Sequence, residues 1–178
     1  CTGSSTTATP LDASYGDGCP AGHYCPEGSP SPTACPTGTY NPTPFTSDIS
    51  SCIDCPLGKY CNGTGLASFS GDCSEGYYCT GGSPTATPQN TSYGGACING
   101  TYCTEGSSSM RACEEGTYAN STKQAICDEC PSGYFCIYGA ITPEICPLGR
   151  YCPIRTGGIP YKCPVGTFNN LYGGFSEA

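Results

Sequence analysis

Hydrophobic positions along the chain occur singly or in short runs, and no stretch repeats them with the 3.6-residue period of a stable helix. The 26 glycines and 17 prolines interrupt every candidate segment. This pattern predicts short two-stranded hairpins and turns, with most residues irregular. The longest apolar runs have a few residues, whereas a membrane-spanning helix requires roughly 20. We therefore expect no membrane insertion in this segment.

The composition leaves too little aliphatic surface for a conventional core. Leu, Ile, Val and Phe together supply 20 of the 178 residues, and Trp is absent. Because ordering each backbone residue costs roughly 1–2 kcal/mol, burial of so few side chains cannot offset the total. The 18 cysteines are the obvious additional source of stability, since one crosslink typically contributes about 2–4 kcal/mol. Such a cysteine content predicts an oxidising, extracellular compartment.

The cysteines lie in a recurring motif, Cys-x-x-Gly-x-aromatic-Cys. It begins at Cys19, Cys55, Cys73, Cys97, Cys130 and Cys146. A second form, Cys-x-x-Gly-Thr-aromatic without the closing cysteine, begins at Cys35, Cys113 and Cys163. Each glycine lies where a tight turn needs positive φ. We expect the aromatic residue to cover a neighbouring disulfide rather than join an exposed binding stripe, at Tyr24, Tyr60, Tyr78, Tyr102, Phe135 and Tyr151.

A larger unit of eight cysteines occurs twice and then begins again. Its clearest sign is "CTGSSTTATPLDASYGDGC" at residue 1, which shares 12 of 19 residues with "CTGGSPTATPQNTSYGGAC" 78 positions later. We assign repeat unit 1 to residues 1–78, unit 2 to 79–151 and an incomplete third unit to 152–178. Repetition on this scale predicts small disulfide-rich modules in a tandem array that forms an elongated rod.

The spacing resembles a known extracellular module. Cys-x-x-Gly-Thr-Tyr, a loop, then Cys-x-x-Cys-x-x-Gly-x-aromatic, as in "CEEGTYANSTKQAICDECPSGYFC", is similar to the ephrin-receptor-like repeat, a relative of EGF-like and TNF-receptor-like modules. The resemblance covers essentially the whole chain. With its extra cysteine and Ser/Thr/Pro-rich spacers, the chain looks like large surface proteins of algae and protists, including those of mastigonemes, the hairs on flagella. Such modules serve as spacers, ligand-binding rods and fibre subunits, so the resemblance does not fix the function.

Sequence alone does not fix the disulfide connectivity, but loop contents favour one scheme. The loops from Cys35 to Cys52 and from Cys113 to Cys127 contain no other cysteine, so we expect these two bridges. In the two following groups of four we expect first-to-third and second-to-fourth pairing. The four bridges are Cys55–Cys73, Cys61–Cys79, Cys130–Cys146 and Cys136–Cys152. Cys19–Cys25 and Cys97–Cys103 complete the scheme.

Cys1 and Cys163 have no partner in this scheme. The only methionine is Met110, so we expect the chain to come from a longer protein. Partners in adjoining repeats, in the same polypeptide or in another copy of the chain, would satisfy both thiols. A Cys1–Cys163 bridge is the alternative, although a rod would hold these residues beyond the roughly 7 Å that a disulfide spans between Cα atoms.

Glycan acceptors are the next signal. Sequons occur at Asn62, Asn90, Asn99 and Asn120. The spacers "TGSSTTATP", "GSPSPTAC", "NPTPFT" and "GGSPTATP" combine Ser/Thr with Pro, as O-glycosylated stalks do. We expect covalent N- and O-linked glycans, with unmodified turn asparagines and bare spacers as the alternative.

Charge and chemistry exclude several function classes. The net charge of −8, without any Lys/Arg cluster, makes nucleic acid and membrane surfaces improbable partners. His23, the only histidine, occupies a variable motif position, so neither a catalytic triad nor a general base near neutral pH has a candidate. The "CIDC" and "CDEC" pairs are a whole repeat apart, which disfavours zinc or redox chemistry. We expect no enzyme activity, no metal and no cofactor.

Two functions remain. We favour a structural segment of a glycosylated extracellular filament or surface coat, because the repeats are so similar to one another. The alternative is a spacer or ligand-binding region of a cell-surface receptor, which predicts one repeat with an aromatic or Arg-rich patch.

Overall fold

The computed structural model describes residues 18–177. Within this range the regular structure consists of strands of two or three residues and one 3-10 helix, Ile49–Ser51. The strands are β1 His23–Tyr24, β2 Thr33–Ala34, β3 Thr39–Tyr40, β4 Ile53–Asp54, β5 Lys59–Tyr60, β6 Gly71–Asp72, β7 Tyr77–Cys79, β8 Gly94–Ala96, β9 Thr101–Tyr102, β10 Arg111–Ala112, β11 Thr117–Tyr118, β12 Asp128–Glu129, β13 Tyr134–Phe135, β14 Glu144–Ile145, β15 Arg150–Tyr151 and β16 Tyr161–Lys162. Cys1 and the spacer "TGSSTTATP" lie outside the described residues.

Each strand pairs only with its neighbour in sequence, which gives two-stranded sheets from β1–β2 through β15–β16. The register places Thr39 opposite Asp54 and Tyr40 opposite Ile53, and the equivalent antiparallel pairing recurs along the chain. The first strand of each hairpin covers residues five and six of a cysteine motif, and the second ends just before the next motif. The predicted fold class of small disulfide modules with short hairpins is therefore confirmed.

The chain divides into two compact units. Unit 1 comprises Cys1–Ser74, Tyr78–Gly95 and Gly106–Ser108, and unit 2 comprises Glu75–Tyr77, Ala96–Glu105 and Ser109–Ala178. These two units are defined by contacts and interleave along the sequence, so they do not test the sequence repeats expected to begin at residues 79 and 152. Those repeat boundaries stay a prediction.

Disulfides form inside the cysteine motifs. All six Cys-x-x-Gly-x-aromatic-Cys motifs close on themselves, with Cα atoms 5.9–6.1 Å apart, as Cys19–Cys25, Cys55–Cys61, Cys73–Cys79, Cys97–Cys103, Cys130–Cys136 and Cys146–Cys152. The two predicted loop bridges, Cys35–Cys52 and Cys113–Cys127, are also present. Cys163 is a free cysteine.

The alternating pairing predicted for the two groups of four was wrong. Cys55–Cys73, Cys61–Cys79, Cys130–Cys146 and Cys136–Cys152 are not formed, because the first and second cysteines of each motif bond to each other. The cause is the turn at the central glycine. Gly58 has φ +73°, which turns the motif back on itself and brings Cys55 and Cys61 within the usual Cα separation of a disulfide.

The buried interior of the described residues consists mainly of these cysteines. Fourteen cysteine and alanine side chains have relative exposures of 6 % or less, and one small cluster joins Cys130, Cys136 and Ala140 with the half-buried Tyr118. Dense disulfide bonding thus takes the place of an aliphatic core and indicates a secreted or extracellular protein. No helix among the described residues has the length and hydropathy needed to cross a bilayer.

Candidate functional site

The most distinctive feature of the molecule is a backbone ladder between successive modules. We define a module as one cysteine motif with the residues up to the next motif, and we name it by its first cysteine. Position 4 is then the motif glycine, here called the ladder glycine, and position 7 is its closing residue. The modules begin at Cys19, Cys35, Cys55, Cys73, Cys97, Cys113, Cys130, Cys146 and Cys163.

Two hydrogen bonds of the ladder are made by the ladder glycine. In the first step the Gly22 N–H donates to the Asn41 carbonyl at 2.7 Å, and the Cys35 N–H donates to the Gly22 carbonyl at 2.9 Å. The backbone N–H and the backbone carbonyl of Gly22 are therefore both bonded to the next module.

The other two hydrogen bonds involve a residue nine or ten positions after the first cysteine, here called the turn residue. The N–H of the turn residue Phe45 donates to the Cys19 carbonyl at 2.8 Å. Thr46 follows the turn residue Phe45, and its carbonyl accepts a hydrogen bond from the Cys25 N–H at 2.9 Å. Two successive modules thus exchange four backbone hydrogen bonds.

The same four hydrogen bonds recur in all eight consecutive steps between Cys19 and Gly174, with N to O distances of 2.7–3.2 Å. Each individual bond lies inside unit 1 or inside unit 2. Because these groups are backbone atoms, the ladder does not depend on most side chains. This explains why modules with different sequences adopt one geometry.

The ladder glycines have positive φ, as predicted, with values from +71° to +88°. They also approach the second module along the chain. A Cβ built on Gly22, Gly38, Gly58, Gly76, Gly100, Gly116 or Gly133 would lie 2.1–2.8 Å from the carbonyl oxygen of a turn residue two modules later. Glycine is therefore required twice, for its backbone conformation and for its missing Cβ.

The turn residues were not anticipated from the sequence. All of them have positive φ, and most are glycine, but Phe45, Lys123 and Arg155 also adopt φ of +62° to +64°. Lys123 places its ammonium 5.4 Å from the ring centroid of Tyr77. The available signal was a second glycine nine or ten residues after most first cysteines, at Gly28, Gly65, Gly82, Gly106, Gly139 and Gly173.

Three modules, those of Cys35, Cys113 and Cys163, lack the closing cysteine at position 7. In two of them this position is an asparagine, Asn41 or Asn169. Asn41 is 1 % exposed, and its Nδ2 donates to the His23 carbonyl at 2.9 Å and to Thr46 Oγ1 at 2.8 Å. Its Oδ1 accepts the Thr43 N–H at 3.0 Å. Asn169 Nδ2 donates to the Arg150 carbonyl in the equivalent way. The amide at position 7 therefore links its module to position 5 of the preceding module.

The motif aromatics expected to cover disulfides are half-buried at all six predicted positions. The Tyr60 ring faces Gly71 across its hairpin, and the Tyr78 ring faces Gly95. These contacts show that the rings pack over the opposite strand. That these rings also pack against neighbouring disulfides stays a prediction.

All four sequon asparagines, Asn62, Asn90, Asn99 and Asn120, are exposed. Asn62 accepts a hydrogen bond from Ser70 Oγ at 2.8 Å, and Asn90 Oδ1 accepts the Ser92 N–H at 3.0 Å. These side chains are accessible, so a glycan attached to any of them can extend into solvent.

The Ser/Thr/Pro spacers that the structure describes are parts of the ladder and not loose stalks. In "GGSPTATP", Gly82 is a turn residue, and Ser83 is fully buried with its Oγ donating to the Thr85 carbonyl at 2.8 Å. Ser31, Thr43 and Thr87 in the three described spacers are exposed. O-linked sugars could therefore attach at some spacer hydroxyls but not at Ser83.

The ionisable groups show few strong interactions. Lys59 forms an ion pair with Asp72 across a hairpin. The Tyr151 hydroxyl donates to Glu177 Oε1 at 2.6 Å, and this hydrogen bond raises the pKa of Tyr151 above its usual value of 10.0. The Ser50 backbone N–H, with a smaller effect of the Ser50 side chain, lowers the pKa of Asp48 at the start of the 3-10 helix.

His23 lies in strand β1, where its Nδ1 is 3.2 Å from the Ala21 carbonyl oxygen. Among residues 18–177 no three His, Cys, Asp or Glu side chains are grouped so that they could hold a metal ion.

The last two modules differ from the others in exposure. The ladder glycines from Gly22 to Gly133 are buried, whereas Gly149 and Gly166 are exposed, and a Cβ on either would meet no atom within 4 Å. Phe168 is 83 % exposed, although the equivalent aromatics are half-buried. A cavity of about 370 Å³ beside Cys163 is lined also by Phe168, Tyr172 and Phe175. This surface is hereafter called the open face.

No protein-family model matches the chain, and no curated protein matches it significantly. The resemblance to ephrin-receptor-like repeats therefore stays a prediction from the motif spacing.

Proposed function

We propose that the chain is a non-catalytic structural segment of a glycosylated extracellular filament or surface coat. The observation that carries this proposal is the ladder itself, in which the same four backbone hydrogen bonds join each module to the next in eight consecutive steps. A surface built for one ligand needs one distinctive module, whereas a scaffold needs interchangeable ones.

The described surface agrees with such a role. Exposed sequons occur in both units, so glycans can be attached to each unit, at Asn62 and Asn90 in unit 1 and at Asn99 and Asn120 in unit 2. Glycans would shield the edges of the two-stranded sheets from unspecific pairing. The mastigoneme-like filament suggested by the resemblance is one assembly of this class, and adjoining repeats or copies of the chain are the partners that it requires.

The receptor ectodomain is the second candidate, and the open face favours it. Phe168, Tyr172 and Phe175 are 64–83 % exposed and lie beside one cavity, which is the kind of aromatic patch that binding hot spots use. A receptor would bind its ligand at this one place, and the other modules would be spacers.

Immunogold electron microscopy of the cells that produce the protein tests the proposal. We expect an antibody raised against residues 18–177 to label extracellular filaments or a surface coat throughout their extent, and to keep labelling them after they are detached from the cells. Label that is confined to the plasma membrane and absent from detached material would contradict the proposal and favour the receptor.

A further inference from the structure

A polar cleft in unit 1 lies between two modules that are not neighbours in sequence. One part of its lining comes from the Cys35 module and the other from the Cys73 module. Its volume is about 440 Å³, within the range of roughly 300–1,000 Å³ of small-ligand sites. The side chains that line it are those of Thr37, Thr39, Asp54, Thr80, Ser92 and Tyr93.

One wall of the cleft is formed by the longest hairpin loop of the described chain, residues 80–93 between strands β7 and β8. Thr80 Oγ1 donates to the Ser92 carbonyl at 3.5 Å, which links the two ends of this loop. Within the loop, Gly82 has no side chain, and a Cβ built there would lie 3.6 Å from Asp54 Oδ1. The glycine therefore leaves space beside the carboxylate.

The chemistry of the lining fits a neutral sugar. The Thr and Ser hydroxyls can donate and accept hydrogen bonds, and the Asp54 carboxylate has no hydrogen-bond or ion-pair partner among residues 18–177. Tyr93 is 40 % exposed, and its ring adds an apolar face. No cationic side chain of the described residues lines the cleft, which disfavours an anion. A sugar ring, with hydroxyls at its edge and C–H groups on its faces, matches these groups.

The sequon at Asn90 lies at the edge of this cleft. The Tyr93 N–H donates to the Asn90 carbonyl at 2.9 Å, and such a turn keeps the two Cα atoms within about 7 Å of each other. Asn90 Oδ1 accepts the Ser92 N–H at 3.0 Å. An N-linked glycan is attached through the amide nitrogen, so it leaves this bond intact. The attached sugar therefore starts beside the wall that Ser92 and Tyr93 form.

We propose that the cleft binds the first sugars of a glycan attached to Asn90. This inference rests on the proposed function, because it requires a glycosylated chain. The attachment raises the local concentration of the sugar to roughly the millimolar range, so contacts that are too weak to hold a free sugar suffice. A glycan in the cleft contacts the Cys35 and Cys73 modules together and so joins the first and third modules of one set in unit 1.

Nuclear Overhauser spectroscopy of the full chain, produced in a secretory host, tests the inference. We expect contacts between Tyr93 ring protons and sugar protons in the unmodified chain and in Asn62→Gln, and their loss in Asn90→Gln. Asn62 is the matched control, because it is also exposed in unit 1 and its amide oxygen accepts a hydrogen bond from Ser70 Oγ at 2.8 Å. Contacts that persist in Asn90→Gln would come from a glycan at another site or on another molecule and would overturn the inference.

Enzymatic release of the N-linked glycan from the native chain provides a rate. We expect release at Asn90 to be about threefold or more faster in Tyr93→Ala and in Asp54→Ala than in the unmodified chain, because the enzyme acts on the undocked fraction. Thr87→Ala is the matched control, since Thr87 is exposed in the same loop but does not line the cleft. Its release rate should equal that of the unmodified chain.

Three results would each overturn the inference: a secreted chain without a glycan at Asn90, a Tyr93 ring without sugar contacts, or equal release rates in all variants. None of them contradicts the structural function, which antibody labelling tests separately. Labelled filaments together with an undocked Asn90 glycan would leave that function standing and remove only this site.

Discussion

Gly58 lies directly against the main-chain carbonyl of Gly106, which belongs to the second module after it. A Cβ on Gly58 would stand 2.2 Å from that oxygen, closer than any real contact of this type. The equivalent approach at the other buried ladder glycines shows that modules are stacked in overlapping sets of three within each unit. The glycine of the cysteine motif is therefore a packing residue as well as a turn residue.

Substitution of Gly58 tests this packing role. We expect Gly58→Ala to lower the free energy of unfolding by at least about 3 kcal/mol, because the new Cβ overlaps backbone that cannot move aside. Gly28→Ala is the matched control in the same unit. Gly28 has φ +78° beside the +73° of Gly58, and its built Cβ meets nothing within 4 Å, so its cost should be only about 1 kcal/mol of backbone strain. Chemical denaturation with intact disulfides measures both, and equal costs would show that φ alone requires the glycine.

The closure of each motif on itself can be tested by peptide mapping without reduction. Phe69 is 41 % exposed and lies between Cys61 and Cys73, and Tyr138 is 66 % exposed and lies between Cys136 and Cys146. Chymotryptic cleavage after these residues should release peptides that separate without reductant, because no disulfide crosses either cut. Recovery of a peptide with Cys55 joined to one with Cys73 would restore the alternating scheme.

Asn41 provides a test of the buried amide at position 7, which bonds to the His23 carbonyl of the preceding module. Asn41→Ala should cost about 1–3 kcal/mol of stability, because the His23 carbonyl and the Thr43 N–H lose a buried partner. Asn41→Asp should cost more, since a carboxylate cannot donate to the His23 carbonyl. Thermal unfolding measures both changes, and the exposed Asn170 provides the control, because Asn170→Ala should leave the midpoint unchanged. Unaltered stability of Asn41→Ala would show that the Thr46 hydroxyl and solvent suffice.

Glycosylation can be measured as mass on the chain produced in a secretory host. We expect an intact mass above the 18.2 kDa of the polypeptide, with part of the excess removed by enzymatic release of N-linked glycans and part by chemical release of O-linked ones. Site mapping should find sugar at one or more of the four sequons and none at Ser83, whose side chain is buried. A mass equal to that of the bare polypeptide before treatment would reject the glycoprotein hypothesis.

Much of the local structure could be predicted from the sequence, because it depends on residue types at fixed spacing. The left-handed ladder glycines and the loop bridge Cys35–Cys52 follow from the motif and from a loop without other cysteines. The bridge Cys55–Cys61 was missed because spacing alone does not show that the turn at Gly58 folds the motif back onto its first cysteine.

The contacts between modules could not be predicted in the same way. The turn residue varies in distance from its first cysteine by one position, and Phe45 shows that it need not be glycine. Its hydrogen bond to Cys19 joins backbone atoms of different modules, and no residue type marks such a bond. The role of Asn41 was hidden for a related reason, since its partner His23 belongs to the preceding module and becomes a neighbour only after the ladder has formed.

Native-state hydrogen exchange followed by NMR tests the central claim that one ladder step repeats along the chain. We predict that the slowest amides fall at four recurring places in each module, namely the first cysteine, the ladder glycine, the position 7 residue and the turn residue. In unit 1 the Cys55 module represents the set with Cys55, Gly58, Cys61 and Gly65. In unit 2 the Cys130 module represents it with Cys130, Gly133, Cys136 and Gly139. Slow exchange that recurs at these places in both units is the predicted result. Protection that is confined to the disulfide loops, or that follows no module period, would contradict the account.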